Sequence, residues 1–235
     1  MISSIFLSVS NAIRSLSAPV RVLVFLMVIL SLSRFGTIGW YLDRVLATDG
    51  SWFIIFQGIR FDIVLMGMLL GPALLAAPWT TGRKWAIAFW RWYMVIVALF
   101  VVWIELGTIS YIDQYDARPN FLYVEYLKYP REVFSMLLKS YTLLIPLAAL
   151  ASFVSGLLVW RMTRVFLDAP SRHRLPGALL LMPVILLMIV AMIRSTTDHH
   201  PVNPSTVAFS TDSMVNQLAL NSPYTLIYAV YEQYR

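Results

Sequence analysis

Long apolar runs alternate with short polar segments from one end of the chain to the other. The runs fall at residues 20–42, 53–79, 85–109, 143–160 and 175–193. Each is near the ~20 residues that an α-helix needs to cross a hydrocarbon core. Pro72, Pro146 and Pro183 lie inside runs, and membrane helices accommodate proline because neighbouring groups re-satisfy the freed carbonyls. The pattern predicts an all-α polytopic membrane domain of about five transmembrane helices with added interfacial helices. The first run is too long for a signal-peptide core of about 7–15 residues and no small-x-small site follows it, so it reads as an uncleaved first span.

Two polar segments carry further structure. Residues 110–140 hold Tyr111, Tyr115, Tyr123, Tyr126 and Tyr129, and tyrosine favours the headgroup layer, where its ring is apolar and its hydroxyl wet. Pro130 suits a first helical turn and Glu132 its positive end. Val133, Phe134, Met136, Leu137 and Leu138 then read either as a surface-lying segment or as an ordinary structured loop. In the tail, Ser210-Thr211-Asp212 can cap a short helix carrying Met214, Val215 and Leu218. Asn221-Ser222-Pro223 breaks it, and Tyr224 to Tyr234 form another. The chain stops at Arg235 inside that helical pattern, as a cut at a domain boundary would leave it. The expected division is a five-helix membrane domain over 1–194 and an extracytoplasmic linker over 195–235.

Composition agrees with lipid exposure. Of 235 residues, 59% are hydrophobic and 13% charged, the latter about half the usual share. A soluble domain of this length cannot hide so much apolar surface. The absence of cysteine excludes disulfides, thiolate metal sites and cysteine nucleophiles. The net charge of +6 sits in short loops, without a long basic run or nucleic-acid motif, so nucleic acid is not an expected partner.

That charge sets an orientation. With the N-terminus cytoplasmic, the inner segments hold Arg14, Arg21, Arg83, Lys84, Arg91, Arg161, Arg164, Arg172 and Arg174 against Asp168 alone. The outer segments hold Arg44, Arg118, Lys128, Arg131, Lys139, Arg194 and Arg235 against nine acids. The positive-inside rule places the N-terminus in the cytoplasm and the C-terminus outside.

Besides Arg21 and Arg91, counted above with the inner segments, four ionisable residues fall within the runs: Arg34 in the first, Arg60 and Asp62 in the second, Glu105 in the third. A charge at membrane depth costs at least ~2.5 kcal/mol, so such groups pair or face water. All four fall in the outer third of the bilayer, where two positive and two negative charges can neutralise each other. One reading is an ion-pair network pinning three helices. The other is a pocket for a phospholipid headgroup, with an arginine fork on phosphate and carboxylates on glycerol hydroxyls. Arg118 and Asn120, just beyond the third run, join the candidates.

No active site is recognisable. Three histidines, His173, His199 and His200, make no Ser-His-Asp arrangement. Adjacent His199 and His200 beside Asp198 are poorly spaced to converge on one metal ion. No Gly-rich phosphate loop, HExxH or CxxC occurs. Gly67 and Gly71 are spaced for close helix packing.

Several stretches carry a likeness: Arg60-Phe61-Asp62; Asp113 to Asn120 (DQYDARPN); Val124 to Val133 (VEYLKYPREV); Asn203-Pro204-Ser205; and Met214 to Asn221 (MVNQLALN). In these the chain resembles, over nearly its whole length, the N-terminal membrane region of the lipoteichoic acid synthase family of sulfatase-like phosphoglycerol transferases. The resemblance implies five transmembrane helices, an extracytoplasmic linker and a following catalytic domain. That domain has a threonine nucleophile and a manganese-like divalent metal, and transfers phosphoglycerol from phosphatidylglycerol. The catalytic domain is missing here, and with it the nucleophile and metal ligands, so no catalytic or metal residue carries over. The stretch after the third run also departs from commoner members, which are more acidic and phenylalanine-rich there.

The expected function is therefore the membrane anchor and lipid-facing platform of such a transferase in a bacterial plasma membrane. Phosphatidylglycerol and the missing catalytic domain are its expected partners. The alternatives are the membrane domain of a phosphoethanolamine transferase or sulfatase, or a non-enzymatic membrane scaffold. An odd number of spans without repeated halves argues against a transporter.

Overall fold

Each apolar run is largely helical, although the first and third run past the ends of their long helices. The structure is a computed structural model describing residues 2–80, 83–126, 128–129, 131, 138–139, 142, 144–166, 175–197, 199 and 201–234. Among the described residues there is no strand. The long helices are α1 (Ile2–Trp40), α3 (Ser51–Thr80) and α4 (Lys84–Leu106), followed later by α7 (Leu144–Met162) and α8 (Leu175–Arg194). Between and after them come α2 (Leu42–Leu46), α5 (Thr108–Tyr115), α6 (Phe121–Tyr126), α9 (Ser213–Gln217) and α10 (Ser222–Gln233). Five helical stretches are long and apolar enough to cross a membrane. Their surfaces carry Leu32, Phe56, Ile96, Phe153 and Leu187 exposed, which only a lipid environment makes inexpensive.

The first helix begins at Ile2 rather than near residue 20. Its serines explain why the hydropathy pattern starts late while the helix does not. Ser15 and Ser17 turn their hydroxyls back onto the carbonyls of Ala12 and Arg14 at 2.6 and 2.7 Å, which satisfies them without breaking the helix. Helices α1, α3 and α8 continue through Pro19, Pro72, Pro78 and Pro183. Pro146 falls in the first turn of α7, where its missing N–H has no intrahelical partner to lose. The third run divides at Gly107, and α5 then ends at Asp116 in the left-handed conformation (φ 51°), which aspartate tolerates.

The chain forms two compact units. The first comprises Met1–Met27, Ile63–Leu99 and Ser155–Pro201; the second comprises Val28–Asp62, Phe100–Val154 and Val202–Arg235. In the first unit, Leu74, Ile185 and Ile189 form a core with Leu16, Leu75 and Leu181 around it. Small residues set the spacing there. A β-carbon on Gly67 would stand 2.9 Å from the Met192 side chain, and one on Gly71 3.1 Å from Ile189. The two glycines thus let α8 approach α3 within the chain. Gly177 is tighter still: a β-carbon there would stand 2.5 Å from the Ser8 backbone, and its N–H donates to Ser8 Oγ at 2.9 Å. Close backbone contact of this kind holds membrane helices together when lipid removes the hydrophobic drive between them.

The second unit includes the tail. Asp212 caps α9 by accepting from Val215 N at 3.1 Å, as its position before the apolar residues predicts, and Met214, Val215 and Leu218 are buried. Residues 202–235, expected to be linker, pack as part of this unit. The stretch read as surface-lying, from Pro130 and Glu132 through Val133, Phe134, Met136 and Leu137, lies outside the described residues; Leu138 is exposed. Asp168, His173, Asp198 and His200 also lie outside them.

Gly177→Ala should lower thermal stability in detergent by about 1–3 kcal/mol, the usual cost of overpacking. Gly39→Ala, with open space around it, should be neutral or slightly stabilising. Equal melting temperatures for the two variants would exclude a close helix contact at Gly177.

Candidate functional site

Four buried charges from four separate stretches meet in the second unit. Arg34 on α1 forms a two-pronged pair with Asp62 on α3: Nη1 donates to Oδ2 and Nη2 to Oδ1, both at 2.7 Å. Glu105, near the end of α4, faces Arg118 Nη1 at 3.7 Å. All four side chains belong to residues between 0 and 7% exposed. Two positive and two negative charges make the group neutral, as lipid depth requires.

The start of α10 closes the cluster. Asn221 uses both ends of its amide: Oδ1 accepts from Tyr224 N at 2.9 Å to cap the helix, and Nδ2 donates to Asp62 Oδ1 at 2.9 Å. The next residue, Ser222, donates its backbone N–H to Glu105 Oε1 at 2.8 Å. A carboxylate at the positive end of a helix is a favourable placement. Glu105 Oε2 also accepts from Ser33 Oγ. Arg118 donates from its backbone N to Gln217 Oε1 and from Nε to Gln217 O, each at 2.9 Å, and from Nη1 to Ser222 Oγ at 2.8 Å. Ser222 Oγ and Thr108 Oγ1 lie 2.7 Å apart. Every oxygen of the two carboxylates therefore has a protein donor, while Arg34 Nε is buried without an acceptor. Burial pulls the Arg118 guanidinium below the usual arginine range, with Glu105 opposing the shift.

The membership differs from the sequence expectation in one cation. Arg118 lies beside Glu105, whereas Arg60 is half-buried and donates to Gln57 on its own helix at 3.3 Å. Arg60 and Asp62 are two residues apart on a helix, about 200° around the axis, so both cannot face one cluster. Gly58 does share the Asp62 face, four residues earlier. A β-carbon there would stand 2.1 Å from Arg34 Nε, so glycine is what lets the arginine lie along α3. Asn120 is a turn-former: its Oδ1 accepts from Leu122 N at 3.0 Å and from Tyr111 Oη at 3.1 Å.

A second, more exposed charge group joins the ends of the unit's short helices. Arg44 Nη1 donates to Asp116 Oδ1 at 2.5 Å, and its Nε and Nη2 donate to the two Asp212 oxygens at 2.9 and 2.8 Å. These bonds hold Arg44 above the usual arginine range and Asp212 below the usual carboxylate range. Tyr41 donates to Asp113 alongside. Beyond them the Tyr111 ring lies tilted against Tyr115 and edge-on to Tyr123, with centroids 4.6 and 5.8 Å apart, and Tyr115 Oη donates to Tyr126 Oη at 2.8 Å.

Among the described residues no group of three or more His, Cys, Asp or Glu is placed to hold a metal ion. No family model matches the chain, and no solved structure matches it. Fold and cluster together define a multi-pass α-helical membrane protein whose buried charges bind its own segments to one another.

Arg34→Met should destabilise the protein by about 3–5 kcal/mol, because it leaves Asp62 buried and uncompensated. Adding Asp62→Leu should recover a large part of that loss; a double variant as unstable as the sum of the single ones would refute the pairing. Asp212 has a depressed folded pKa, so its contribution is complete above the ordinary aspartate value of about 3.9 and is lost as pH falls through the lower folded value. Melting curves taken below about pH 4 should therefore fall less steeply for Asp212→Asn than for the parent.

Proposed function

We propose that this chain is the membrane-anchoring, lipid-facing domain of an extracytoplasmic phosphoglycerol transferase of the lipoteichoic acid synthase-like, sulfatase-superfamily type. It acts on phosphatidylglycerol in a bacterial plasma (inner) membrane, with its N-terminus cytoplasmic and its C-terminus outside. One observation carries this reading. The stretches in which the chain resembles that family supply two of the four buried charges and several of their supports: Asp62, Arg118 with Asp116 and Asn120, and Gln217 with Asn221. Their shared task is to hold α9 and α10 onto the membrane helices of the second unit. A catalytic domain attached beyond α10 would then be held at a set position above the lipid whose headgroup it cleaves, which is the advantage of positioning over free diffusion.

The chemistry of transfer belongs to the catalytic domain, including its threonine and its metal. This chain's own contribution is anchoring, orientation and contact with lipid. Of the six candidate residues, Arg34, Asp62, Glu105 and Arg118 are engaged in the closed cluster, and Asn120 shapes a turn. Arg60, half-buried on α3 and bonded to Gln57, is proposed to meet the phospholipid headgroup because a guanidinium suits phosphate oxygens.

Membranes of cells expressing the protein from its native gene should release diacylglycerol from headgroup-labelled phosphatidylglycerol and not from phosphatidylethanolamine. Turnover of phosphatidylethanolamine alone would move the protein to the phosphoethanolamine transferases, and turnover of neither would refute the transferase reading. Arg60→Ala should cut phosphatidylglycerol turnover several-fold with normal insertion; unchanged turnover would remove Arg60 from that role. The cysteine-free chain also permits a direct topology test. Thr197→Cys, at an exposed position, should react with an impermeant maleimide in intact cells, and Lys84→Cys only after permeabilisation; the reverse pattern would overturn the orientation.

A further inference from the structure

The charge of the molecule is unevenly divided. The first unit holds ten Lys and Arg against two Asp, net +8, and the second eight against ten acids, net −2, which together make the +6 of the chain. Both aspartates of the first unit lie outside its described residues, so its described residues contain no carboxylate. Among the described residues of this basic set Arg91 is the buried member, at 7% exposure. It lies seven residues past Lys84 on α4, about 10 Å along the helix.

Its contacts differ in kind from those of the other buried arginines. Arg34 and Arg118 each face a carboxylate. Arg91 donates from Nη2 to the Trp160 carbonyl at 3.0 Å and from Nε to Thr163 Oγ1 at 3.3 Å. Its guanidinium carbon lies 3.8 Å above the Trp160 ring. All these partners are neutral. The carboxyl end of α7 adds only about half a negative charge, and among the described residues the charged side chain felt by Arg91 is Arg164, of the same sign. A buried cation with neutral ligands and a like-charged neighbour is a costly arrangement that an anion relieves.

We propose that Arg91, with the exposed Arg164, forms a site for the phosphodiester headgroup of an anionic phospholipid. Guanidinium geometry matches phosphate oxygens, and basic pockets between transmembrane helices are suited to anionic headgroups. The ligand is a lipid rather than a free anion because Trp92, Ile96 and Leu157 present exposed apolar surface in the same unit, where acyl chains can lie. It is anionic overall because a zwitterionic headgroup would bring another cation into a unit already at +8. This site is independent of the transferase reading, and its test does not use activity.

The test is thermal unfolding of the purified full protein in detergent, titrated with dioleoylphosphatidylglycerol, dioleoylphosphatidylcholine or inorganic phosphate. Phosphatidylglycerol should raise the melting temperature, and the other two should not. Arg164→Gln should weaken the phosphatidylglycerol effect about fivefold, the share of one basic residue, and Arg91→Gln should weaken it at least as much, while Arg60→Ala should leave this site's contribution in place. Native mass spectrometry should show one phosphatidylglycerol retained by the parent and lost from Arg164→Gln. Equal stabilisation by phosphatidylcholine, equal stabilisation by inorganic phosphate, or an undiminished effect in Arg164→Gln would each overturn the site. Asp168→Asn tests neutralisation from within the chain. It should leave the lipid-free melting temperature unchanged, and a marked drop would assign the counter-charge to Asp168 and overturn the proposal.

Discussion

The second unit depends on the mutual neutralisation of Arg34, Asp62, Glu105 and Arg118. Lipid cannot solvate these groups, so each must find its counter-charge and its hydrogen bonds inside the chain. The solution draws on two spans that supply one acid each, a third that supplies Arg34, and a turn that supplies Arg118. The start of α10 completes it, since Asn221 and Ser222 supply donors to both carboxylates. The helix beginning and the membrane charges therefore stabilise each other: without α10 the carboxylates lose donors, and without the carboxylates the first turn of α10 loses acceptors.

The same requirement accounts for features that lie far apart in the chain. Gly58 makes room for the Arg34 guanidinium on α3. Asp116 reverses the chain after α5 in a left-handed conformation, two residues before Arg118. Ser33, Thr108 and Gln217 are polar because they complete the shell of hydrogen bonds around the charges. In the first unit the governing contact is different. Gly67, Gly71 and Gly177 allow helices to approach at backbone distance, and no described carboxylate balances its basic residues. The second unit is thus held by internal charge pairing and the first by close helix contact.

Much of this was legible in the order of residues. The five apolar runs located the five long helices, because hydrocarbon thickness imposes a length on any spanning helix. Asp212 ahead of Met214 and Val215 announced the cap of α9. Asn221-Ser222-Pro223 marked a helix boundary, though the second use of the Asn221 amide, on Asp62, carried no signature of its own. The three in-span charges Arg34, Asp62 and Glu105 were recognisable as partners from their depth. Arg60 was grouped with them by depth alone, and the helical angle between residues 60 and 62 turns it away.

By itself, then, the amino-acid sequence determined the class of protein, the number of spans and the need for charge pairing, since these follow from what each stretch costs in lipid or water. Only the tertiary structure decided which charges pair. That choice depends on which faces of α1, α3 and α4 meet and on where the turn after α5 delivers Arg118, 13 residues beyond Glu105 in the chain. Depth in the bilayer is a one-dimensional property that a sequence carries. Direction around a helix axis acquires meaning only when neighbouring helices have taken their places.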